Sequence, residues 1–208
     1  MAEYDKNKEN NYWNDYYNSK IQRLPNSEFS NFVLNKIEKY SSLIDIGCGD
    51  GRDTHFFSEN GIYTKGIDFS SETIKKNKPY SNRFLSFKQI DLLNINKLDE
   101  NFDHAYCRFI FHSINENVES KLLNWLSKKI KKNIFIETRI LDLENQVHNT
   151  NHYRRFFTEK EFIDKIINYK FEVNYSETSY NFSKYNKIYK VKDLTFDPLI
   201  LRLIISKN

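Results

Sequence analysis

The sequence predicts an α/β fold: a mostly parallel sheet with helices on both faces, closed by an antiparallel strand pair at the C-terminal end. Three observations carry this reading. Short apolar runs at residues 42–46, 62–67, 84–90, 102–107 and 134–137 alternate with stretches of helical period. The first run ends in a glycine-rich turn, Gly47-Cys48-Gly49-Asp50-Gly51, with helical text behind it. The last two runs, 171–177 and 199–206, have no helical text between them, so they are expected to pair antiparallel across a long connection at 178–198.

Taken in order, residues 1–8 read as a loose polar tail. From Glu9 to Lys20, the rings of Tyr12, Trp13, Tyr16 and Tyr17 recur at spacings of three and four, which places them on one helix face. Pro25 and Asn26 interrupt the chain, and Ser27 opens a second helix whose apolar positions are Phe29, Phe32, Val33, Leu34 and Ile37. Helical text follows the glycine turn through Glu59 and returns at 70–76. A longer amphipathic helix at 116–129 carries Val118, Leu122, Leu123, Trp125 and Leu126. Thr158 with Glu161 three residues later is a capping box, opening a helix that runs to Ile167. Residues 141–157 and 178–193 fit no regular element, and loops of this length in a compact domain are usually functional or mobile.

Composition narrows the function. The chain of 208 residues, with 39% hydrophobic and 29% charged residues, suits one globular domain (27–208) with an aromatic N-terminal appendage at 1–26. Against 28 Asp and Glu stand 32 Lys and Arg, a net charge of +4 without a concentrated basic face, so no nucleic-acid partner is expected. The most apolar stretch, 199–205, contains Arg202 and is far too short to span a bilayer. Cys48 and Cys107 cannot form a disulfide framework, and no secretory leader is visible. These features predict a cytoplasmic monomer or homodimer without membrane contact.

The spacing around the glycine turn decides the ligand class. A dinucleotide fingerprint needs a small residue at position 52, which is Arg52 here. The pattern is instead Asp45-x-Gly47-x-Gly49-x-Gly51, with Asp68 closing the second strand and Asp91 following the third. The acids are 23 residues apart from position 45 to 68, and again from 68 to 91. Gly47 to Asp53 looks like the turns of thiopurine and tellurite methyltransferases. In order and spacing these motifs resemble the class I S-adenosylmethionine-dependent methyltransferases, well over residues 27–140 and loosely elsewhere.

The resemblance implies a Rossmann-like, seven-stranded sheet and S-adenosylmethionine as cofactor, with S-adenosylhomocysteine as product. It implies that Asp45, Gly47, Cys48, Gly49, Gly51, Arg52 and Asp53 surround the amino-acid part and ribose edge of the cofactor. Asp68 would accept from both ribose hydroxyls, with Phe69 beside it. Asp91 would take the adenine amino group and Leu92 would pack on the ring. Tyr12 and Trp13, followed by Tyr16, resemble the aromatic helix that such enzymes fold over the cofactor.

The fourth strand ends Tyr106-Cys107-Arg108-Phe109-Ile110-Phe111-His112-Ser113-Ile114, where the family places the methyl group. Arg108 beside the cofactor would bind an anionic acceptor group, and His112 would act as base or orient the acceptor. The fifth strand ends Glu137-Thr138-Arg139. Beyond it, Tyr153, Arg154 and Arg155 interleave aromatic and guanidinium groups suited to sugar rings and to phosphate or carboxylate. These segments, with Asp197-Pro198 and Arg202 in the last strand, are similar to methyltransferases of capsule and surface-glycan gene clusters. His148 and His152 are four apart but lack a third ligand, so no metal is expected. The expected reaction is methyl transfer to a polar, anionic small molecule, foremost a sugar hydroxyl of a nucleotide-sugar or surface-glycan precursor. The alternatives are a phosphoramidate- or phosphate-type capsule modification and a non-catalytic cofactor-binding partner subunit.

Overall fold

The computed structural model describes residues 4–19, 23–142, 152–182 and 198–208. His148, Asp197, the ends of the 1–20 stretch and residues 143–151 of the 141–157 stretch lie outside the described residues. Seven strands form one sheet: β1 (Ser42–Ile46), β2 (Tyr63–Asp68), β3 (Leu85–Gln89), β4 (His104–Arg108), β5 (Asn133–Arg139), β6 (Phe171–Ser179) and β7 (Ile200–Lys207). Their spatial order is β3-β2-β1-β4-β5-β7-β6. The first five are mutually parallel, and β7 runs antiparallel between β5 and β6, as the helix-free connection predicts.

Period-two alternation along the strands fills both faces. On β4, Ala105 and Cys107 join the cluster beneath the later helices, whereas Tyr106 turns to the opposite side. Ile134 and Ile136 against Phe135 on β5 divide in the same way. The first face is covered by α5 (Glu116–Lys129) and α6 (Glu159–Asn168), through Leu122, Leu123, Leu126, Phe162 and Ile166. The second is covered by α2 (Glu28–Leu34) and α3 (Arg52–Glu59), through Phe29, Val33 and Phe57. Beside them, α4 (Ser71–Asn77) packs Ile74 on Leu85 and Phe87.

Two expectations change. The segment read as a loose tail already begins α1 (Lys6–Ser19), because Asp5 accepts from the backbone N–H groups of Asn7 and Lys8 and starts the helix early. The irregular stretch after 177 is also shorter than expected. β6 continues to Ser179, following β7 through Ser179 opposite Ile200, and then enters a 3₁₀ turn at Tyr180–Phe182. The capping box at Thr158 and Glu161 is present as read.

Candidate active site

From β1 the chain moves to β2 on one side and returns to β4 on the other. The carboxyl ends of these strands therefore open a crevice at the switch point. A cavity of about 220 Å³ lies there. That is below the roughly 300–1,000 Å³ usual for ligand sites, since α1 lies over it and lines it with Tyr12, Trp13, Tyr16 and Tyr17. Side-chain ties hold α1 down: Ser70 Oγ donates to Asn14 Oδ1 at 2.6 Å, Lys76 Nζ to the Tyr17 carbonyl at 2.6 Å, the Tyr153 N–H to Glu9 Oε1 at 2.7 Å, and Lys6 pairs with Asp91.

One end of the cavity is acidic. The N–H groups of Gly47 and Cys48 both donate to the Ile67 carbonyl, at 2.8 and 3.0 Å, which fastens the glycine turn to β2. Gly47 and Gly49 have φ of +72° and +54°, a region open to glycine at little cost. A Cβ on Gly49 would stand 2.3 Å from the Tyr17 hydroxyl oxygen, so the tyrosine sits in the glycine cradle. Asp68 accepts from the N–H of Gly49 at 3.0 Å and of Ser70 at 2.9 Å, which aims its carboxylate along the turn. Asp45 accepts from Thr54 Oγ1 at 2.6 Å. Burial raises both carboxyls, Asp45 to about 8. Asp91 pairs with Lys6 at 2.5 Å while capping the turn after β3 through the Leu93 N–H. Asp53 is already engaged: Ser27 N–H at 2.7 Å, Ser27 Oγ at 2.8 Å and the Tyr106 hydroxyl at 2.8 Å all donate to it.

The other end is basic, lined by Arg108, Arg139, Arg154, His112 and His152. Arg108 Nε donates to Glu137 Oε1 at 2.8 Å, and the same carboxylate takes Arg202 Nε at 2.7 Å. Phe109 turns the chain with φ of +59°, an αL geometry uncommon outside glycine, and its ring packs 4.2 Å from the Arg108 guanidinium. A 3₁₀ turn at Phe111–Ser113 then carries His112 into the wall. The backbone N–H of Arg139 points to His112 Nδ1 at 3.2 Å, and the Thr138 hydroxyl is 3.1 Å from the same nitrogen. A backbone N–H can only donate, so Nδ1 is the acceptor and the neutral ring carries its proton on Nε2. Burial first, then the charges of Arg154 and Arg139, hold His112 well below the usual histidine range.

Most residues singled out from the sequence therefore line one cavity. Tyr12, Trp13, Tyr16, Asp45, Gly47, Cys48, Gly49, Arg52, Asp53, Asp68, Phe69, Asp91, Leu92, Arg108, His112, Arg139 and Arg154 are all in its wall. Four are not. Gly51 stands behind the turn, at the N-cap of α3. Glu137, 1% exposed, is consumed by Arg108 and Arg202 and does not reach the cavity, because its strand neighbours supply two guanidinium groups. Arg155 turns to Glu119 at 2.5 Å, and Tyr153 packs edge-on against Tyr4. Cys107 lies in the core, whereas Cys48 lines the cavity; both are free thiols. Among the described residues no group of three His, Cys, Asp or Glu is placed to hold a metal, and no helix is long and apolar enough to cross a membrane.

The structure adds Lys6, Glu9, Tyr17, Phe109 and His152 to the wall. Tyr17 was visible as part of the aromatic quartet, and His152 as the first residue of the basic-aromatic run. Lys6 and Glu9 gave no such signal, since a short polar stretch does not announce which contacts hold it.

A family model described as a methyltransferase domain matches residues 44–133. The matched segment, which holds the glycine turn and runs from β1 through β4, is similar to methyltransferase domains. A methyltransferase domain implies S-adenosylmethionine as cofactor and methyl transfer as the class of reaction. Among curated proteins none matches the chain. Solved structures share its fold. The [4+2]-cyclase SpnF is 11% identical with a TM-score of 0.75, covering 96% of this chain and 93% of its own. Geranyl diphosphate C-methyltransferase from Streptomyces coelicolor A3(2), held with Mg²⁺, geranyl diphosphate and S-adenosyl-L-homocysteine, is 9% identical with a TM-score of 0.73, covering 96% and 98%. A TehB-like methyltransferase from Corynebacterium glutamicum is 14% identical with a TM-score of 0.66, covering 98% and 100%.

Proposed function

We propose that the methyltransferase moves its methyl group to a hydroxyl of a small, anionic molecule, with a sugar hydroxyl of a nucleotide-sugar or surface-glycan precursor as the favoured acceptor. One observation carries the reading: the cavity is polarised, with carboxylates at the glycine turn and three arginines with two neutral histidines at the far end. The cofactor supplies an activated methyl on a sulfonium and carries an ammonium, and the acidic end suits both charges. Asp45 and the turn from Gly47 to Gly49 hold its amino-acid part, Asp68 accepts from the ribose hydroxyls, and Asp91 with Leu92 holds the adenine. Residues 1–26 act as a lid, with Tyr12, Trp13 and Tyr16 above the bound molecules. Tyr17 leaves the glycine cradle when the cofactor enters.

At the far end, Arg108, Arg139 and Arg154 bind the acceptor's anionic group by charge-assisted hydrogen bonds, and Glu137 fixes Arg108 from behind. Of the two roles expected of His112, orienting the acceptor through its Nε2–H fits the hydrogen bonding. Phosphate and phosphoramidate groups fit three guanidiniums equally well, and this keeps the capsule-phosphate reading as the second acceptor class. One fold neighbour holds geranyl diphosphate, itself a small anionic molecule. The protein is placed in the cytoplasm, where S-adenosylmethionine and sugar nucleotides are made.

The test is methyl-labelled S-adenosylmethionine with glucose 6-phosphate, UDP-glucose and phosphoramidate, each product followed by mass. Label in a sugar product supports the favoured reading, and label in phosphoramidate supports the second. S-adenosylhomocysteine binding without label in any anionic acceptor, but with label in a neutral or cationic one, overturns both.

A further inference from the structure

His152 is buried at 8% exposure in the cavity wall, and neither ring nitrogen has a hydrogen-bond partner among the described residues. Its ring stacks on Tyr12 at 4.2 Å and meets the Trp13 edge at 5.2 Å, so the lid helix fixes its plane. An unpaired buried polar atom costs about 1–3 kcal/mol. A ring held by packing, with neither nitrogen paired among the described residues, is therefore suited to pair with a ligand. The contrast with His112 is chemical. His112 spends Nδ1 on the Arg139 N–H and presents a proton at Nε2, so it can donate and cannot accept without losing that bond.

We propose that His152 is the catalytic base of the methyltransferase, accepting the acceptor's hydroxyl proton while His112 donates a fixed hydrogen bond. The inference rests on the anionic-hydroxyl reading above. In the step, the acceptor's O–H bond breaks and its proton goes to the free nitrogen of neutral His152. An oxygen electron pair forms the new O–C bond, and the pair of the breaking C–S bond returns to sulfur, which becomes a neutral thioether. The resulting imidazolium passes its proton to water once the lid opens.

Charge around the ring adds a control. Burial and the charges of Arg154 on the same segment and Arg139 at the end of β5 push His152 down to about 3, which makes it a weak base. His112 faces it from the turn after β4, and Glu9 and Tyr12 line the same cavity from α1. An acceptor anion seated on Arg139 and Arg154 offsets their field and raises the basicity of the ring, while the larger effect of burial stays. Neutral hydroxyl compounds leave the base suppressed. The site thereby selects anionic acceptors twice, once in binding and once in activation.

The test begins with ¹⁵N-histidine NMR of the full chain, His152 being assigned by its loss in His152→Gln. Titrated with S-adenosylhomocysteine present, the His152 pKa is expected to rise by about one unit or more when sulfate replaces chloride at constant ionic strength, and His112 to stay an Nε2–H tautomer. On the sugar acceptor that is methylated, His152→Gln is expected to lower kcat about a hundredfold with little change in KM. The variant's kcat should then climb with pH while the wild type stays flat from pH 6 to 8. S-adenosylhomocysteine affinity, checked in the same variant and in His152→Asn, confirms that the fold is kept. An unmoved His152 pKa, or a variant with wild-type kcat, overturns the assignment and leaves the acceptor reading intact. Loss of the sulfate effect together with undiminished turnover in Arg139→Gln would remove the acceptor reading as well.

Discussion

At the acidic end of the cavity, Asp45, Asp68 and Asp91 stand at or within two residues of the carboxyl ends of β1, β2 and β3, and neighbouring backbone N–H groups orient Asp68 and Asp91. At the basic end, Arg108 and Arg139 also close strands, but their setting depends on partners far away in the chain. Arg108 is held by Glu137, which also pairs with Arg202 on β7. The 152–157 segment reaches the site through the Arg155 N–H on the His112 carbonyl at 2.8 Å and the Leu141 N–H on the Phe157 carbonyl at 2.8 Å. One end is thus built by backbone geometry, and the other by buried ion pairs and long-range ties.

The largest way to break the basic end is from behind it. Glu137→Ala leaves two guanidinium groups without their buried partner, and breaking such a pair costs about 3–5 kcal/mol. Chemical denaturation should show that loss, with S-adenosylhomocysteine still bound below the new midpoint.

Asp45 sharpens the contrast through pH. Its folded pKa, about 8, lies above the unfolded value. Its contribution to stability is therefore full below the unfolded pKa and is lost as pH rises through about 8. A ligand ammonium favours the ionised form, so S-adenosylhomocysteine affinity should rise between pH 6 and 8. Calorimetry on Asp45→Asn should show a flatter profile.

The smallest effect belongs to neither end. Thr158→Ala removes one half of the capping box of α6, which costs about 1 kcal/mol. Thermal unfolding should register it, while cofactor affinity and turnover per folded molecule stay unchanged.

The same contrast explains what could be read in advance. The glycine turn and its evenly spaced acids are local features whose spacing follows from strand and helix lengths, so sequence alone located them. The sheet's closing antiparallel pair was visible in the missing helix between two apolar runs. Glu137 stands outside the cavity wall, because Arg108 and Arg202 claim it across two strand neighbours, although its position at a strand end points to the ligand edge. Arg155 stands outside it for a similar reason: Glu119, buried on α5, captures it. His152 carried only a weak signal, since its value comes from the absence of a partner, and that is a property of packing.

The central claim is that one cavity holds cofactor and acceptor at opposite, oppositely charged ends. Calorimetric titration of S-adenosylhomocysteine into wild type, Asp68→Asn and Arg139→Gln/Arg154→Gln tests it most directly. Loss of charge-assisted hydrogen bonds worth about 1.5–3 kcal/mol should weaken Asp68→Asn by about tenfold to a hundredfold. The double arginine variant should bind within about twofold of wild type. Equal weakening in both variants would contradict the separation of the two ends.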